Sequence, residues 1–396
     1  MDNKKIRLAI VQSHPIQYFV PLYRALAGIP GIDLNVFYCL NPTPQQQGEG
    51  FNTEFEWDIP IEVGYANEYL PNRSRLPEVS FWGCDTPVVR ALIASRKFDA
   101  WLIPGWNLKS YWQVMRACWQ FKVPMLIRGE SHLLDKKSIH NQILKLLVFR
   151  RWIPRFSAYL TIGKMNAAFY RYYGGDSSKC FASPYCVDNE LFARANAVFM
   201  EKRGELRNRW LIPQDSLAIL FCGKFIGMKR PMDILLAAER AAATGSRIHL
   251  LMVGDGPLRS TCESYALKKR IPVTFAGFLN QSEIAQAYTA CDVLVLASGF
   301  SETWGLVVNE AMACGLPAIV SDKVGCGADL IMENRTGFTF PCGDIAALVR
   351  LLNCYASDPS LAVQHGKVAR DHVNSRYNIP CAVQGVLAAL QSLTTV

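Results

Sequence analysis

Strand-like apolar runs alternate with helix-like amphipathic segments along the whole chain. This alternation is typical of α/β proteins with parallel sheets, because parallel strands are joined by long crossovers that usually contain a helix. The segments predicted as strands are residues 7–12, 34–40, 100–104, 125–128, 158–162, 218–222, 248–253, 273–276, 293–297 and 318–321. We therefore predict the α/β class, with the strands in Rossmann-like parallel sheets.

At 396 residues, the chain is long enough for two or three domains. The alternation is interrupted near residues 185–213, which contain prolines and a charged stretch. We predict a first Rossmann-like domain over 1–190, a linker region over 191–212 and a second Rossmann-like domain over 213–375, with the two sheets facing each other across a cleft. The C-terminal segment, 376–396, is expected to form a helix that packs back on the first domain.

Composition and cysteine usage indicate a soluble protein. Half of the residues are apolar and 19% are charged, which suits a large core. No apolar run approaches the roughly 20 residues that span a bilayer, and the N-terminal run over 6–11 is too short for a signal peptide. Thirteen cysteines without a C-x-x-C pair argue against a disulfide framework and a zinc site. We therefore predict a cytoplasmic protein with reduced cysteines.

The formal net charge of +9 favours anionic partners, such as nucleotide diphosphates, phosphorylated acceptors or anionic lipid. No nucleic-acid-binding motif occurs, so no nucleic-acid partner is predicted. Basic residues are densest in 136–155, where they interleave with apolar and aromatic residues. Such a segment can lie on an anionic membrane surface, or it can be a surface helix whose apolar stripe faces the core. Both interpretations are open at this point.

The strongest functional signal lies in residues 298–317. A strand-like run ends in a polar loop with Glu302, a helix is predicted to start after Gly305, and Glu310 lies two turns inside that helix. Amides at a helix N-terminus bind phosphate, because four donors lack partners within the helix and the helix dipole favours negative charge there. Carboxylates accept hydrogen bonds from sugar hydroxyls. This layout predicts a site that holds a diphosphate and a sugar together.

The pattern from Glu302 to Glu310, followed by Ala-Met-Ala-x-Gly-x-Pro, resembles the hallmark of retaining GT-B glycosyltransferases of the "glycosyl transferases group 1" (family 4-like) type. Further motifs of that family follow its order, namely Gly254-Asp255-Gly256-Pro257, Ala276-Gly277-Phe278, Asn334-Arg335-Thr336-Gly337-Phe338 and Gly343-Asp344. The resemblance covers residues 218 to the C-terminus well and the N-terminal half only in outline. The loops at 223–229 and 254–257 lack the spacing of a P-loop and of a nicotinamide-binding turn, respectively.

The resemblance implies a set of donor-binding residues in the second domain. Glu302 should contact the hydroxyls of the donor sugar, Glu310 the ribose hydroxyls, and Phe278 the base. The loop and helix start should offer amides to the sugar and the β-phosphate from Thr303, Trp304, Gly305 and Leu306. The basic grip on the diphosphate should come from Gly223, Lys224 and Lys229. At Lys224 the family usually has arginine, so this chain keeps the charge and loses the bidentate fork.

Two polar clusters follow strands of the first domain. After the first strand, where the family commonly has a glycine-rich loop, this chain carries His14 and Gln17, which are predicted to contact the acceptor. After the predicted strand 125–128 come Glu130 and His132. His132 matches the family histidine that faces the reacting sugar, with Arg128 and Glu130 as further acceptor contacts. His14 as a cap or packed ring, and an ion pair between Arg128 and Glu130, remain alternatives.

The function implied by the resemblance is transfer of a sugar from a UDP- or GDP-sugar to an acceptor hydroxyl, with retention at the anomeric carbon. The predicted catalytic residues are His132, Glu302 and Lys229. No metal is predicted, because no Asp-x-Asp motif occurs and lysines take the place of a divalent ion. No cofactor is predicted beyond the nucleotide-sugar co-substrate.

The acceptor is expected to be lipid-linked, a saccharide or a small molecule, with cell-surface polysaccharide or glycolipid assembly on the inner face of the plasma membrane as the setting. The alternatives are a GT-B sugar-nucleotide epimerase, a glycosyltransferase that acts on a soluble metabolite, and a non-catalytic membrane-associated protein that binds nucleotides.

A long polar and aromatic stretch between residues 41 and 84 stands out in the first half. Long insertions in compact domains are usually functional. We predict that its aromatic residues, with two tryptophans farther on, shape the acceptor pocket, and core packing is the alternative for many of them. These residues are Phe51, Phe55, Trp57, Tyr65, Tyr69, Phe81, Trp82, Trp106 and Trp112.

Overall fold

The structure, a computed structural model, describes residues 5–134, 139–300 and 302–394. It divides into two compact units. The first unit comprises Met1–Gln46, Pro60–Tyr185 and Ile379–Val396, and the second comprises Gln47–Ile59 and Cys186–Asn378. The chain therefore leaves the first unit early, contributes the short stretch Gln47–Ile59 (the inserted segment) to the second unit, and returns.

In the described residues, the first unit contains one sheet of seven parallel strands in the order β3-β2-β1-β4-β5-β6-β7. The strands are β1 (Ile6–Gln12), β2 (Ile32–Tyr38), β3 (Ala66–Tyr69), β4 (Ala100–Ile103), β5 (Met125–Ile127), β6 (Ala158–Thr161) and β7 (Cys180–Ala182). The helices between them are α1 (Val20–Ala27), α2 (Pro44–Gln47), α3 (Val89–Ala94), α4 (Lys109–Phe121), α5 (Ile139–Trp152) and α6 (Lys164–Tyr172).

The second unit contains, within the described part of the chain, a sheet of six parallel strands in the order β10-β9-β8-β11-β12-β13. Its strands are β8 (Leu217–Cys222), β9 (Ile248–Val253), β10 (Val273–Gly277), β11 (Val293–Leu296), β12 (Ala318–Ser321) and β13 (Gly337–Phe340). Its helices are α7 (Asn189–Met200), α8 (Arg203–Arg209), α9 (Pro231–Ala243), α10 (Arg259–Lys269), α11 (Ile284–Ala290), α12 (Leu306–Ala313), α13 (Gly327–Leu330), α14 (Ile345–Ser357) and α15 (Pro359–Arg376). The last helix, α16 (Ile379–Thr394), belongs to the first unit.

The central strands of the second sheet are buried on both faces, which explains their mostly apolar sequences. In β8, Ile219 and Phe221 belong to a core cluster that also contains Ile234 of α9 and Leu348 of α14. Side chains alternate across a strand, so the fully buried Leu220 faces the other layer. Together, the two parallel sheets confirm the predicted α/β class with two Rossmann-like domains.

The strand order creates a topological switch point in each sheet. In the second sheet, the chain runs from β8 outward through β9 and β10 and then returns to β11, which pairs with β8 on its other side. In the first sheet, the same reversal separates β1 from β4. Ligands of open α/β sheets bind outside the carboxyl ends of the strands at such points. The fold therefore indicates that a ligand of the second unit binds at the loops after β8 and β11.

The unit boundaries differ from the predicted domain limits. Residues 191–212, assigned to a linker, lie in the second unit, where α7 and α8 form much of this stretch. The charged sequence of this stretch suggested an exposed linker, but the stretch also contains buried residues. Phe192 is 2% exposed and packs near Tyr288 of α11. The helix α16 contacts β7 and α1 of the first unit, and the Ser183 hydroxyl donates a hydrogen bond to the Ala382 carbonyl at 3.0 Å.

Replacing Asp188 with alanine is expected to lower the free energy of unfolding by about 1 kcal/mol. The Asp188 carboxylate caps α7 by accepting a hydrogen bond from the Leu191 amide at 3.0 Å. Urea unfolding followed by circular dichroism measures the effect, and Asp188→Asn, which keeps an acceptor oxygen, is the control. Equal stability of the alanine variant and the parent protein would contradict a packed, capped helix here.

The basic segment 136–155 is described in part. Lys136 and Lys137 lie outside the described residues, while α5 covers Ile139–Trp152. Phe149 is buried in the core of the first unit, and Trp152 packs on Trp112 with ring centroids 4.3 Å apart. These contacts fit the interpretation of a surface helix with its apolar side in the core. Among the helices in the described ranges, none is both long enough and apolar enough to span a bilayer.

Candidate active site

The loops after β8 and β11 are joined by an ion pair at the switch point of the second sheet. Lys229 ends a 3₁₀ turn after β8, and its ammonium group contacts Oε2 of Glu302. The two side chains are only 14% and 10% exposed. The Ser298 hydroxyl donates a second hydrogen bond to the same carboxylate oxygen at 2.8 Å. The sequence-predicted residues Lys229 and Glu302 are thus brought together, and their pairing fixes both groups in a largely buried position.

The start of α12 is held by a glycine that no other residue can readily replace. Gly305 has φ of +99°, and a Cβ there would lie 2.8 Å from Cδ2 of Leu296. The loop is braced from one side, because the Gly325 amide donates to the Glu302 carbonyl and the Cys326 amide to the Trp304 carbonyl, both at 3.0 Å. The first amides of α12, which have no partner within the helix, are consequently held at a fixed place next to Glu302, where an anion can bind.

The predicted residues beside Gly305 lie along this braced loop. Trp304 is 3% exposed, and its indole Nε1 donates to Oδ1 of Asn309 at 2.8 Å. Its ring therefore packs inside the unit, and only its main chain fits the predicted contact with the donor. Thr303 and Leu306 are half-buried on either side.

Glu310 lies deeper than its predicted contact with a ribose suggests. It is 2% exposed, and its Oε2 accepts a hydrogen bond from the Tyr288 hydroxyl at 2.5 Å. Burial and, to a smaller extent, the Glu310 carboxylate raise the pKa of the neighbouring Cys222 thiol to about 12, so this thiol remains protonated. Tyr288 therefore fixes one oxygen of Glu310 inside the unit.

Lys224 and Phe278 both contact the inserted segment. The Lys224 ammonium donates to the Glu49 carbonyl at 2.5 Å and lies 5.0 Å from the ring centroid of Phe51. Burial lowers the pKa of Lys224. Phe278 stacks on Phe55 with ring centroids 4.4 Å apart. Lys224 thus contacts a main-chain carbonyl in this structure, and its contact with the diphosphate stays a prediction.

Gly223 lies where two loops approach closely. Its φ is +152°, and a Cβ on Gly254 would lie 2.0 Å from its carbonyl oxygen. The loops after β8 and β9 are therefore in direct main-chain contact at this edge of the sheet.

In the first unit, the residues predicted to bind the acceptor are mostly buried. His14 Nδ1 lies 3.0 Å from the Ser13 hydroxyl, and burial lowers the pKa of the ring to about 4, so the imidazole is neutral at physiological pH. Gln17 is 8% exposed. This geometry fits the alternative of a packed His14 ring, and the predicted acceptor contact of both residues stays a prediction.

Arg128 is 5% exposed and serves the packing of the first unit. Its guanidinium donates to the carbonyls of Ser183 and Pro184 at 3.2 and 3.1 Å. The guanidinium carbon lies 4.6 Å from the ring centroid of Tyr185. These donors are directed at carbonyls of its own unit, and the contact of Arg128 with an acceptor stays a prediction.

Glu130 and His132 extend from the same loop after β5. Glu130 is exposed and accepts a hydrogen bond from the Tyr185 hydroxyl. His132 is 9% exposed, and its Nδ1 accepts from the Leu134 amide at 3.1 Å. The proton of the neutral His132 ring is therefore on Nε2.

The chain matches one protein family over much of the second unit. Residues 202–372 match the model of the family described as glycosyl transferases group 1. This part of the chain, which is less than half of its length, resembles that family. The match includes the ion pair, the loop and the helix start described above, so the predicted family resemblance is confirmed for the group 1 domain.

Relatives with known names match about half of the chain. The sulfoquinovosyl transferase SQD2 of Arabidopsis thaliana is 33% identical over 188 residues, which is 47% of this chain and 34% of that protein. A D-inositol 3-phosphate glycosyltransferase of Streptomyces scabiei is 31% identical over 217 residues, or 52% of this chain and 47% of that protein. The matched segments therefore span less than half the length of these relatives.

A solved structure extends the likeness of fold to both units. The crystal structure of Anabaena HepE in complex with UDP superimposes with a TM-score of 0.73 and 16% identity, and the alignment covers 98% of this chain and all of HepE. At this identity the comparison shows the fold alone, which is the predicted GT-B fold.

The geometry adds two residues that the sequence did not single out. Ser298 is fully buried and binds Glu302, and Tyr288 is fully buried and binds Glu310. A signal for Ser298 existed, since it is the first polar residue after the apolar run of β11. Nothing in the sequence around Tyr288 indicates a partner 22 residues away. In the described parts of the chain, no three His, Cys, Asp or Glu side chains are grouped as metal ligands are, and metal independence stays a prediction.

A cavity of about 610 Å³ lies at the opposite, amino edge of the second sheet, where β8 and β9 begin. Arg203 and Arg207 line it, but their guanidinium groups already bind Asp292, at 2.5 and 3.3 Å. Arg207 also donates to the Ser216 carbonyl at 2.6 Å. Because these charges are engaged within the group 1 domain, this cavity is not the candidate site.

Proposed function

We propose that this protein is a glycosyltransferase that moves a sugar from a UDP- or GDP-sugar to an acceptor hydroxyl. The observation that carries this proposal is the Lys229–Glu302 pair at the switch point, beside the start of α12. A cation next to a carboxylate suits a diphosphate joined to a sugar, because these two parts of the donor are also adjacent. The group 1 family match, the glycosyltransferase names of the relatives and the UDP bound by HepE support the proposal.

The reaction must break the bond between the anomeric carbon of the donor sugar and a phosphate oxygen. Negative charge grows on the departing diphosphate, so fixed cations and oriented amides directed at it lower the barrier. Lys229 supplies the cation, and the first turn of α12 supplies the amides. Both are positioned before the donor arrives, because Glu302 holds Lys229 and Gly305 fixes the start of the helix.

Glu302 orients the sugar by accepting hydrogen bonds from its hydroxyls. Its carboxylate is already fixed by Lys229 and by Ser298, so it loses little freedom when the sugar binds. We propose retention by front-face attack, in which the departing phosphate oxygen takes the proton of the acceptor hydroxyl. On this route no carboxylate base is needed, and the chain's lysine performs the charge neutralisation that a divalent ion performs elsewhere. The proposed reaction is therefore metal-independent and needs no cofactor beyond the donor.

The acceptor is proposed to be a lipid-linked, saccharide or small-molecule hydroxyl compound in cell-surface polysaccharide or glycolipid assembly. His132 is proposed to lie near the reacting sugar, and Glu130, an exposed residue of the same loop, is proposed to contact the acceptor. The proposed place is the cytoplasm, with peripheral contact to the inner face of the plasma membrane.

A panel of UDP- and GDP-sugars, screened first by thermal shift and then for transfer in EDTA, tests this proposal. The expected result is a raised melting temperature with one donor class, and sugar transfer that EDTA does not abolish. NMR of donor and enzyme without acceptor identifies an epimerase if the sugar is converted. Sedimentation with anionic vesicles distinguishes a lipid acceptor from a soluble metabolite. Binding of no nucleotide sugar in the panel would contradict the proposal.

Replacing Ser298 with alanine is expected to lower kcat about tenfold, because a hydrogen bond to a charged group is worth about 1.5 kcal/mol or more. Loss of the hydroxyl leaves Glu302 held by Lys229 alone. Steady-state kinetics with the donor identified by the panel measure the effect. Ser246→Ala is the matched control, since its hydroxyl binds Asn353 at 2.9 Å near the amino edge of the sheet. A tenfold loss in the control, or none in Ser298→Ala, would contradict this role.

A further inference from the structure

The inserted segment crosses the carboxyl ends of β8, β9 and β10, which lie side by side in the second sheet. It contacts the loop after each of these strands. After β8, the Lys224 ammonium binds the Glu49 carbonyl. After β9, a Cβ on Gly256 would lie 3.0 Å from the Gly50 carbonyl oxygen, so the two main chains are close together. The segment thus covers one side of the edge whose other side carries Glu302.

The contact after β10 is aromatic. Phe55 stacks on Phe278 with ring centroids 4.4 Å apart and an interplanar angle of 29°. Phe51 meets Phe278 edge-on, with centroids 5.2 Å apart. Rings at 4.4 Å are in direct contact, so no flat ligand fits between Phe55 and Phe278 in this arrangement.

Polar contacts fix the far end of the inserted segment. The Asn280 side-chain amide donates to the Glu56 carbonyl at 2.7 Å. The Ser282 amide donates to Oδ2 of Asp58 at 3.2 Å, and the Ser282 hydroxyl binds the same carboxylate. Ser282 and Asp58 are exposed and Asn280 is half-buried, so each contact is individually weak, and a ligand with better partners can displace the segment.

The contacts of the inserted segment have the chemistry of a nucleoside diphosphate. Phe55 offers a flat ring to the aromatic residue that is predicted to border the base. The Glu49 carbonyl offers an oxygen to the lysine that is predicted to bind the diphosphate. The inserted segment thus contacts two predicted donor-binding residues, Lys224 and Phe278, at the same time, through groups that resemble parts of the donor.

We propose that the inserted segment occupies the nucleobase and diphosphate positions of the donor site when no donor is bound. Phe55 stands in place of the base, and the Glu49 carbonyl stands in place of a phosphate oxygen. The inference rests on the proposed function, because it takes a nucleotide sugar as the ligand. The donor exchanges these contacts for its own and releases the segment, so its apparent affinity is lowered by the cost of release. Nucleosides without a diphosphate compete poorly for the same reason.

Phe55→Ala is expected to bind UDP, or GDP if that is the donor base, about three- to tenfold more tightly than the parent protein, since an aromatic pair contributes an amount of this order. Isothermal titration calorimetry measures the dissociation constants. Glu54→Gln is the matched control, because Glu54 is an exposed neighbour, and its affinity should equal that of the parent. Weaker binding by Phe55→Ala would overturn the proposal, since Phe55 would then be a wall of the occupied pocket.

Hydrogen exchange on the unmodified full chain tests the same proposal without a variant. Saturating UDP or GDP is expected to accelerate amide exchange in residues 49–58, because the segment leaves its contacts. Slower or unchanged exchange there would overturn the proposal and leave the proposed function intact. If neither nucleotide binds the parent protein or Phe55→Ala in calorimetry, the proposed function itself fails and this inference falls with it.

Discussion

Replacing Lys229 with methionine is expected to lower kcat for sugar transfer about 10²–10³-fold, the effect seen when one preorganised charge-stabilising donor is lost. The Lys229 side chain is only 14% exposed beside Glu302, so water cannot replace its charge efficiently. KM for the donor should change less than kcat, because the charge on the diphosphate grows as the sugar bond breaks. Steady-state kinetics with saturating acceptor separate the two constants.

The variant also leaves Glu302 buried without its ion-pair partner, so folding must be checked separately. Calorimetric melting of Lys229→Met identifies any loss of folded enzyme. Lys268→Ala, an exposed lysine of α10, is the control for loss of one positive charge and should keep the parent kcat. A folded Lys229→Met enzyme with unchanged kcat would remove Lys229 from the proposed mechanism.

Replacing Glu310 with alanine is expected to weaken donor binding by about 2 kcal/mol or more, a factor of about thirty, because the ribose hydroxyls lose a charged acceptor. Glu310 is 2% exposed and directs one oxygen at Tyr288, so the carboxylate is held rigidly before the ribose arrives. Calorimetric titration with UDP or GDP measures the loss.

A 2′-deoxynucleotide makes this experiment specific. The parent protein should bind the deoxynucleotide more weakly than the ribonucleotide, while Glu310→Ala should bind both with similar affinity. Tyr288→Phe, which keeps the carboxylate and removes the hydroxyl that orients it, should show an intermediate loss. Near-normal affinity of Glu310→Ala for the ribonucleotide would show that the ribose is bound elsewhere.

The central strands of both sheets were predictable because their sequences are mostly apolar. The prediction found β8 and β9, which are buried along their length, and missed β3, β7 and β13 at or near the edges. β3 has the sequence Ala-Asn-Glu-Tyr, in which local composition carries no strand signal. The three missed strands lie at edges, where a strand depends on pairing with its one neighbour, so pattern analysis of a single segment did not find them.

The helices α7 and α8 were missed because charged residues suggested a linker. Arg203 and Arg207, part of that charged stretch, bind Asp292 in the second unit. A charged residue thus indicates an exposed position only where it has no ion-pair partner. The partner here, Asp292, lies more than 80 residues farther along the chain. Such long-range pairs are set by tertiary structure.

The residues of the candidate site were predictable from the sequence, but the contacts between them were not. Lys229 and Glu302 were named from motifs, but their direct pairing depends on how two loops meet, 73 residues apart. Likewise, the aromatic residues Phe51 and Phe55 were assigned to an acceptor pocket in the first domain. The structure instead places them on Phe278 in the second unit. The type of a hydrophobic residue does not indicate which other side chain it packs against, because that depends on which residues the fold brings close together.

A crystal structure of the full chain grown with saturating UDP or GDP, whichever nucleotide the panel selects, tests the central claim most directly. The account predicts diphosphate oxygens at about 3 Å from Nζ of Lys229 and from the first amides of α12. It also predicts the ribose at Glu310. A nucleotide bound elsewhere on the chain, with the Lys229–Glu302 pair left untouched, would contradict it.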